Sequence, residues 1–276
     1  MSKFWCVILF TLSFLGCSEP EPVVSETLVL GHGGMGFPSA LNQYPPNTWE
    51  SADRAFAEGA HGVELDVQLS EDSVVMLYHD KSLETQVSES GSVARMKAAE
   101  LEGFKYFGQN LHPDISIQKA EDVLARAAEK YGARVFSLNI QLPDGTAGDQ
   151  GYRDRFARGI VRLIEQFKGM DFFIESERMD YLEAIKSLAP DTERYLIGSF
   201  SPENLAFMKE HGAKGLVTNY SAIEPPQARE LRDNGLKLMI FGLKIRRDIV
   251  RSMNLIPDAV QTDNIPLTFS IYGIEN

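Results

Sequence analysis

Short apolar runs alternate with amphipathic stretches along the chain from Leu28 onward. The apolar runs are rich in Val, Ile, Leu and Phe, and their nearly continuous hydrophobicity is typical of strands that are covered on both faces, as in a parallel sheet. We predict strands at Leu28–His32, Gly62–Val67, Val74–Tyr78, Val135–Leu142, Phe172–Glu175, Tyr195–Phe200, Gly215–Asn219, Leu236–Leu243 and Ala259–Thr262.

The stretches between these runs have helical spacing and recognisable helix ends. Apolar residues share one helix face at Phe156, Ile160, Leu163, Ile164 and Phe167, and in the next stretch at Leu182, Ile185 and Leu188. Ser201 is an N-cap candidate for a helix that ends at Gly212. Pro225 suits a first helical position, and Gly235 closes that helix.

The repeated order of strand and helix decides the fold class. About eight repeats within a chain of this length predict an α/β fold of the (β/α)₈ TIM-barrel type. A doubly wound sheet is less favoured, because neither a Gly-rich dinucleotide fingerprint nor a P-loop follows any strand. The irregular segment from Asp80 to Asp114, with a short helix around Ala94–Leu101, is predicted to be an insertion after the second strand.

The N-terminal segment predicts export. Lys3 precedes an apolar run from Phe4 to Leu15 that is too short to span a bilayer, as in a signal peptide. Phe14-Leu15-Gly16-Cys17 resembles a bacterial lipobox, so we predict a signal peptide at 1–16, a lipidated tether at 17–27 with Cys17 modified, and a single domain at 28–276. The alternative is an ordinary cleaved signal with an incidental cysteine. Ser18 favours the outer membrane, or a periplasmic face, for such a lipoprotein.

Composition excludes several protein classes. The chain has 276 residues, of which 43% are hydrophobic, so it can bury a sizeable core. Its only cysteines are Cys6 and Cys17, so the folded part contains no disulfide. The net charge of −12 opposes binding to nucleic acid. A phosphate-handling site would therefore need a metal ion or locally clustered cations.

Glu64 and Asp66 are the sharpest local candidates for chemistry. Residues i and i+2 of a strand point to the same side, so the two carboxylates converge at the end of the second strand. Adjacent anions repel unless a cation lies between them, and hard oxygen ligands suit Mg²⁺ or Ca²⁺. The alternative is a pair of solvated charges on a sheet edge, which the apolar neighbours Val63, Leu65 and Val67 disfavour.

Two histidines follow apolar runs at the predicted mouth of the barrel. His32 precedes Gly33 and Gly34, which let backbone approach a ligand closely, and His79 precedes Asp80, which can orient the imidazole. Their ordinary pKa values suit a general acid and a general base. Singly, each is more often structural, but active sites of barrels lie at the carboxyl ends of the strands, where all four candidates are expected.

Several segments together resemble a known family. They read LGHGG at 30–34, PPNT at 45–48, GVELDVQLSED at 62–72 and YHD at 78–80, followed later by IQKAEDVL at 117–124 and QTDN at 261–264. In order and spacing they are similar to the glycerophosphodiester phosphodiesterase family, most strongly in the first third. The resemblance implies a TIM barrel that splits a phosphodiester into an alcohol and a glycerol phosphate. It implies a divalent metal, with Glu64 and Asp66 as ligands, and an acid–base pair formed by His32 and His79.

The chain departs from this family at positions that carry charge. Gly33 stands where the family usually has Arg, and Gln141-Leu142-Pro143 stands where it usually has Glu-x-Lys. The resemblance therefore implies Gln141 as a neutral metal ligand and Gly33, Asn47 and Lys244 at the substrate. If Gln141 is not at the metal, Glu175 on the following strand is the alternative third ligand. Lys105 is an alternative to Lys244 as the cation that replaces those missing. The Trp-Thr pair that the family usually has on its seventh strand is also absent from the segment Ile240–Lys244.

The leading interpretation is a lipid-anchored, metal-dependent phosphoric diester hydrolase of lipid metabolism. Its expected partners are a glycerophosphodiester or phospholipid-derived substrate and, through the anchor, a membrane, with no nucleic acid. The alternative is a catalytically lapsed barrel that binds a phosphorylated ligand at the cell surface, as the lost Arg, Glu and Lys suggest. The retained histidines and carboxylates favour the enzyme.

Overall fold

The computed structural model describes residues 27–37, 42–107 and 114–274. The predicted signal peptide at 1–16, the lipidation residue Cys17 and all but the last residue of the predicted tether lie outside the described residues. Those features stay predictions.

The described strands form one sheet that closes on itself. They are β1 (Leu28–Gly31), β2 (Gly62–Leu69), β3 (Val75–Leu77), β4 (Gln118–Lys119), β5 (Val135–Ile140), β6 (Asp171–Ser176), β7 (Glu193–Ile197), β8 (Gly215–Asn219), β9 (Lys237–Leu243) and β10 (Ala259–Thr262). Strands β1, β2 and β5 to β10 are parallel to their barrel neighbours, and β1 pairs with both β10 and β2. The predicted (β/α)₈ barrel is therefore confirmed.

Helices connect the barrel strands. They are α1 (Trp49–Ala57), α2 (Ala98–Leu101), α3 (Ala120–Tyr131), α4 (Gln150–Gln166), α5 (Met179–Leu188), α6 (Pro202–His211), α7 (Pro225–Asp233), α8 (Arg246–Met253) and α9 (Ile265–Tyr272). The predicted ends of α6 are present, because the Ser201 hydroxyl accepts from the Asn204 N–H and Gly212 adopts a left-handed conformation. No helix within the described ranges is long and apolar enough to cross a membrane.

The predicted strand at Val74–Tyr78 exists but is not part of the barrel. Strand β3 runs antiparallel to β2, with Leu77 opposite Val67, and β4 continues antiparallel to β3. The insertion after the second barrel strand therefore begins with this hairpin rather than at Asp80, and α2 lies within it. A short apolar run does not encode strand direction, so the sequence could not distinguish a hairpin from a barrel strand.

Side chains alternate between two cores along each barrel strand. In β2, Val63, Leu65 and Val67 pack outward against the helices, whereas Glu64 and Asp66 alternate with them. A second cluster, which includes Leu30, Phe173 and Met239, fills the barrel interior. Polar side chains therefore have a place toward the carboxyl end of the barrel, next to this apolar cluster.

Candidate active site

A cavity of about 500 Å³ opens at the carboxyl ends of the barrel strands. Its lining includes His32, which follows β1, together with Asp66, His79, Gln141 and Glu175. Four of the residues predicted from the sequence thus face one space, and Glu175 on β6 joins them. Active sites of (β/α)₈ enzymes occupy this end of the barrel.

Glu64 is a buried carboxylate with one oxygen unused. The Gly33 N–H donates to Oε2 at 2.9 Å, and the Nε2 atom of His32 lies 4.0 Å from the same oxygen. The other oxygen, Oε1, is buried and has no hydrogen-bond partner among the described residues. Burial, followed by the negative charges of Asp66 and Glu175, raises the pKa of Glu64 well above its usual value. An unpaired buried oxygen of this kind calls for a cation or a proton.

Asp66 is held by three amide side chains. Asn47 donates to Oδ2 at 2.9 Å, while Asn139 and Gln141 donate to Oδ1 at 3.0 and 2.9 Å. The side-chain oxygen of Asn47, Oδ1, also accepts from the Asp66 N–H at 2.8 Å. Glu64 and Asp66 lie within β2, not at its end as predicted, because β2 extends past the barrel mouth to pair with β3.

Each of the two histidines is oriented by an aspartate. His32 Nδ1 lies 2.8 Å from Asp263 Oδ1, and His79 Nδ1 lies 2.6 Å from Asp80 Oδ1. These contacts leave the Nε2 atom of each ring available for proton transfer. The Phe37 ring meets both histidines edge-on, with centroid distances of 5.0 Å to His32 and 6.3 Å to His79.

His79 is shifted toward its protonated form. Burial lowers the pKa of His79, but the charge of Asp66 and the hydrogen bond and charge of Asp80 outweigh burial, so the pKa lies above its usual value. His79 therefore holds its proton to a higher pH than a solvated histidine does.

Glu175 adds a third buried carboxylate. Ser137 and Gln261 donate hydrogen bonds to its Oε1 atom, the latter at 2.6 Å. Burial raises the pKa of Glu175 to about 7, against the lowering effect of these two hydrogen bonds. Three acidic side chains thus influence one another at the base of the cavity.

The oxygen donors here fit a hard divalent cation. No cluster of three or more His, Cys, Asp or Glu side chains suited to a metal is present in the described part of the chain. Glu64 and Asp66 nevertheless provide two buried carboxylates, and a cation would supply both the partner that Glu64 Oε1 lacks and the missing positive charge. A half-turn of the Gln141 amide, whose nitrogen now contacts Asp66 Oδ1, would turn its oxygen toward a cation held by Asp66. Two carboxylates and one amide oxygen are ligands that Mg²⁺ and Ca²⁺ accept.

Comparison with known proteins assigns the family. The model of the glycerophosphoryl diester phosphodiesterase family matches residues 40–267. The chain belongs to this family. A glycerophosphodiester phosphodiesterase of Caldanaerobacter subterraneus is 25% identical over 251 residues, which cover 87% of this chain and 95% of that protein.

Solved structures agree on the fold. A phosphodiesterase of Oleispira antarctica, in complex with the product sn-glycerol-3-phosphate, superposes with a TM-score of 0.79 at 20% identity, covering 89% of this chain and 96% of that one. A glycerophosphodiester phosphodiesterase of Thermotoga maritima has a TM-score of 0.68 at 22% identity, covering 89% and 98%. The chain is a phosphoric diester hydrolase, and its family generally depends on a divalent metal.

Gly33 and Asn47, predicted at the substrate, contact the carboxylates in this phosphodiesterase barrel. The Gly33 N–H is bonded to Glu64, and the Asn47 side chain is bonded to Asp66. Gly33 has a φ of +57°, and a Cβ atom there would lie 2.7 Å from the Cβ of Pro46. The absent side chain at position 33 therefore leaves no extra room for a bulkier substrate, contrary to what its small size suggests.

The predicted replacement cations do not line the cavity. The Lys244 ammonium lies 3.6 Å from Asp263 Oδ2 and 5.4 Å from the Phe37 ring centroid, at the edge of the site. Lys105 pairs with Asp114 at 2.6 Å on the insertion. Among the residues that the structure describes, the lysine and arginine side chains that line the cavity are instead those of Lys81 and Arg178.

Sequence reasoning assigned no role to Asp263, Lys81 or Arg178. A signal for Asp263 was present, because the first and last strands of a closed barrel are neighbours, so residues after β1 and β10 must meet. Lys81 and Arg178 lie in loops after β3 and β6, where side-chain direction has no periodic signature.

Proposed function

We propose that the protein hydrolyses glycerophosphodiesters with the help of a divalent cation, Mg²⁺ or Ca²⁺, in the metabolism of phospholipid-derived compounds. The observation that carries the proposal is the convergence of His32, His79 and Asp66 on one cavity, beside the buried Glu64. Glu64, Asp66 and Gln141 would hold the cation. When bound, it supplies Lewis-acid polarisation of the phosphoryl oxygens.

The two histidines would divide the proton transfers. One imidazole takes a proton from water as the water oxygen bonds to phosphorus, and the other gives a proton to the alcohol oxygen as its bond to phosphorus breaks. Asp263 and Asp80 hold the two rings through Nδ1, so Nε2 is the nitrogen that would serve in each. Water is consumed, and the products are an alcohol and a glycerol phosphate.

The similarity to the Oleispira phosphodiesterase supports the substrate class, because that structure contains sn-glycerol-3-phosphate. Gly33 and Asn47 would act on the substrate through Glu64 and Asp66, which they hold in place. Lys244 would approach the substrate only by leaving Asp263. The lapsed-barrel alternative is not favoured, since each histidine retains an orienting carboxylate.

The experiment is a substrate panel with and without chelator. Purified protein should release product from glycerophosphocholine or bis-p-nitrophenyl phosphate with added Mg²⁺ or Ca²⁺, and EDTA should abolish the release. Asp66→Ala should abolish turnover, whereas Asp191→Ala, an exposed acid before β7 at the opposite end of the barrel, should not. Equal turnover with and without chelator would refute metal dependence, and full activity of Asp66→Ala would remove Asp66 from the site.

We also propose that lipid on Cys17 anchors the protein to a bacterial membrane, facing the periplasm or in the outer membrane. The support is the order of Lys3, the apolar run 4–15 and the lipobox-like 14–17. Several acyl chains hold a protein stably where one does not. Cys17→Ser should move the protein from membrane to soluble fractions, and a parent protein found soluble in the periplasm would refute the anchor.

A further inference from the structure

Among the charged side chains described on the lining of the cavity that holds the candidate catalytic residues, acids outnumber lysine and arginine. Its acidic lining residues are Asp66, Asp144, Glu175 and Glu177. Its cationic lining residues, apart from the histidines, are Lys81 and Arg178. A phosphodiester is an anion, and like charges at short range repel, so such a cavity disfavours the substrate unless a cation faces it. Which of the two cations is available then decides how the phosphate is bound.

Arg178 is already engaged. Its Nε and Nη2 atoms donate to the two oxygens of Asp180 at 2.9 and 3.0 Å, so the edge of the guanidinium that carries these two donors is occupied by a carboxylate. Lys81 differs, because within the described part of the chain its side chain forms no ion pair. Its side chain is exposed on the cavity wall, so the ammonium is free to turn toward a ligand.

The backbone of Lys81 ties two functional loops together. Lys81 follows His79 by two residues, and its carbonyl oxygen accepts from the Asp144 N–H at 3.4 Å. Asp144 belongs to the loop after Gln141, in which Pro143 lines the same wall without a charge of its own. Lys81 therefore lies on the wall of the cavity where the loop that carries His79 meets the loop that follows Gln141.

We infer that Lys81 binds the phosphate of the substrate and of the product, and thereby sets the affinity of the site for phosphate esters. The inference rests on the proposed function. Because a phosphate monoester has nearly twice the charge of a diester at pH 7, Lys81 should matter more for the product than for the substrate. Lys81 thus favours substrate capture at the cost of stronger product inhibition.

The test compares Lys81→Gln with Lys81→Arg and a matched control. Lys209→Gln removes one exposed lysine charge from α6, where the ammonium donates a hydrogen bond to the Asn234 side chain. With Mg²⁺ or Ca²⁺ present, we would measure kcat and KM for bis-p-nitrophenyl phosphate, the inhibition constant of sn-glycerol 3-phosphate, and direct calorimetric binding of that product. A charge-assisted contact at an accessible site is worth roughly ten-fold in affinity.

Lys81→Gln should raise KM about ten-fold and leave kcat within a few-fold of the parent value. It should weaken the binding of sn-glycerol 3-phosphate by more than ten-fold. Lys81→Arg should restore most of the affinity, and Lys209→Gln should match the parent. If Lys81→Gln binds the product as the parent does, or if only Arg178→Gln loses affinity for it, the inference about Lys81 is wrong. Hydrolysis by the parent would still support the proposed function. If the parent binds the product without hydrolysing the substrate, and Lys81→Gln loses that binding, the role of Lys81 in phosphate binding is supported and the proposed function is refuted.

Discussion

We expect Asn47 to hold the side chain of Asp66 in position. Replacing Asn47 by glycine and by alanine separates the effect of its side chain on stability from the effect of its backbone conformation. Asn47 is 2% exposed, and its amide exchanges two hydrogen bonds with Asp66, one to the carboxylate and one from the N–H. Loss of the bond to a charged group costs about 1.5–3 kcal/mol, and loss of the neutral bond costs about 0.5–1.5 kcal/mol. Asn47→Gly should therefore lower the free energy of unfolding by roughly 2–4 kcal/mol.

The backbone of Asn47 provides the matched comparison. Its φ of 62° lies in the left-handed region, which glycine adopts freely but alanine adopts at a cost of about 1–2 kcal/mol. Asn47→Ala should therefore be less stable than Asn47→Gly, although both remove the same hydrogen bonds. The difference between the two variants measures the backbone strain, and the glycine variant alone measures the loss of support for Asp66.

Both variants should be measured in two assays. Urea unfolding with EDTA present reports the stability of the metal-free protein, since a bound metal would add its own stabilisation. Activity against metal concentration reports whether Asp66 is still positioned, and half-maximal activity should require more metal in both variants. If Asn47→Gly unfolds within about 0.5 kcal/mol of the parent and needs no more metal, Asn47 does not hold Asp66 and the reasoning fails.

Three further predictions follow from the carboxylates of the site. Asp80→Asn should move the limb of the pH–rate profile that belongs to His79 toward lower pH, because Asp80 helps to raise that pKa; an unmoved limb contradicts the pairing. Gln141→Glu should lower the metal concentration for half-maximal activity by adding an anion, and an unchanged requirement removes Gln141 from the metal. Because the pKa of Glu175 is raised to about 7, the folded protein favours the neutral form of this side chain. Its contribution to the free energy of unfolding is therefore fully present below about pH 4.5 and is lost as the pH rises through about 7. Glu175→Gln should flatten this loss by up to about 3 kcal/mol in EDTA-containing urea titrations, and parallel curves would refute it.

The barrel was predictable because its period is visible along the chain. Runs such as 135–142 and 215–219 need cover on both faces, and only a parallel sheet with helices between strands provides it. The direction of β3 was not predictable, because the length and hydrophobicity of a three-residue strand are the same in a hairpin and a barrel. Direction depends on the backbone hydrogen bonds between the two strands, such as the one from the Tyr78 N–H to the Asp66 carbonyl, which no local pattern encodes.

The chemistry of the site was predictable where residues i and i+2 share a strand, as with Glu64 and Asp66, or where an acid adjoins a histidine, as with Asp80. Contacts across the chain were not predictable. Asp263 meets His32 from 231 residues away, and the bond between Asn47 and Asp66 depends on the left-handed turn at Asn47. Such contacts are set by how loops cross the barrel mouth, where hydrophobic periodicity carries no information.

The hairpin of β2 and β3 makes the distance between Asp66 and His79 a matter of strand register. The Tyr78 N–H donates to the Asp66 carbonyl at 3.1 Å, so Tyr78 lies directly opposite Asp66. His79, the candidate for proton transfer, is the next residue along the chain. One added residue in the turn at 70–73 would shift β3 by one position and turn His79 to the opposite face of the ladder. Residues added after Asp80 would leave that register intact. Evolution and protein engineering can therefore lengthen or exchange the segment after Asp80, while the turn before β3 must keep its length.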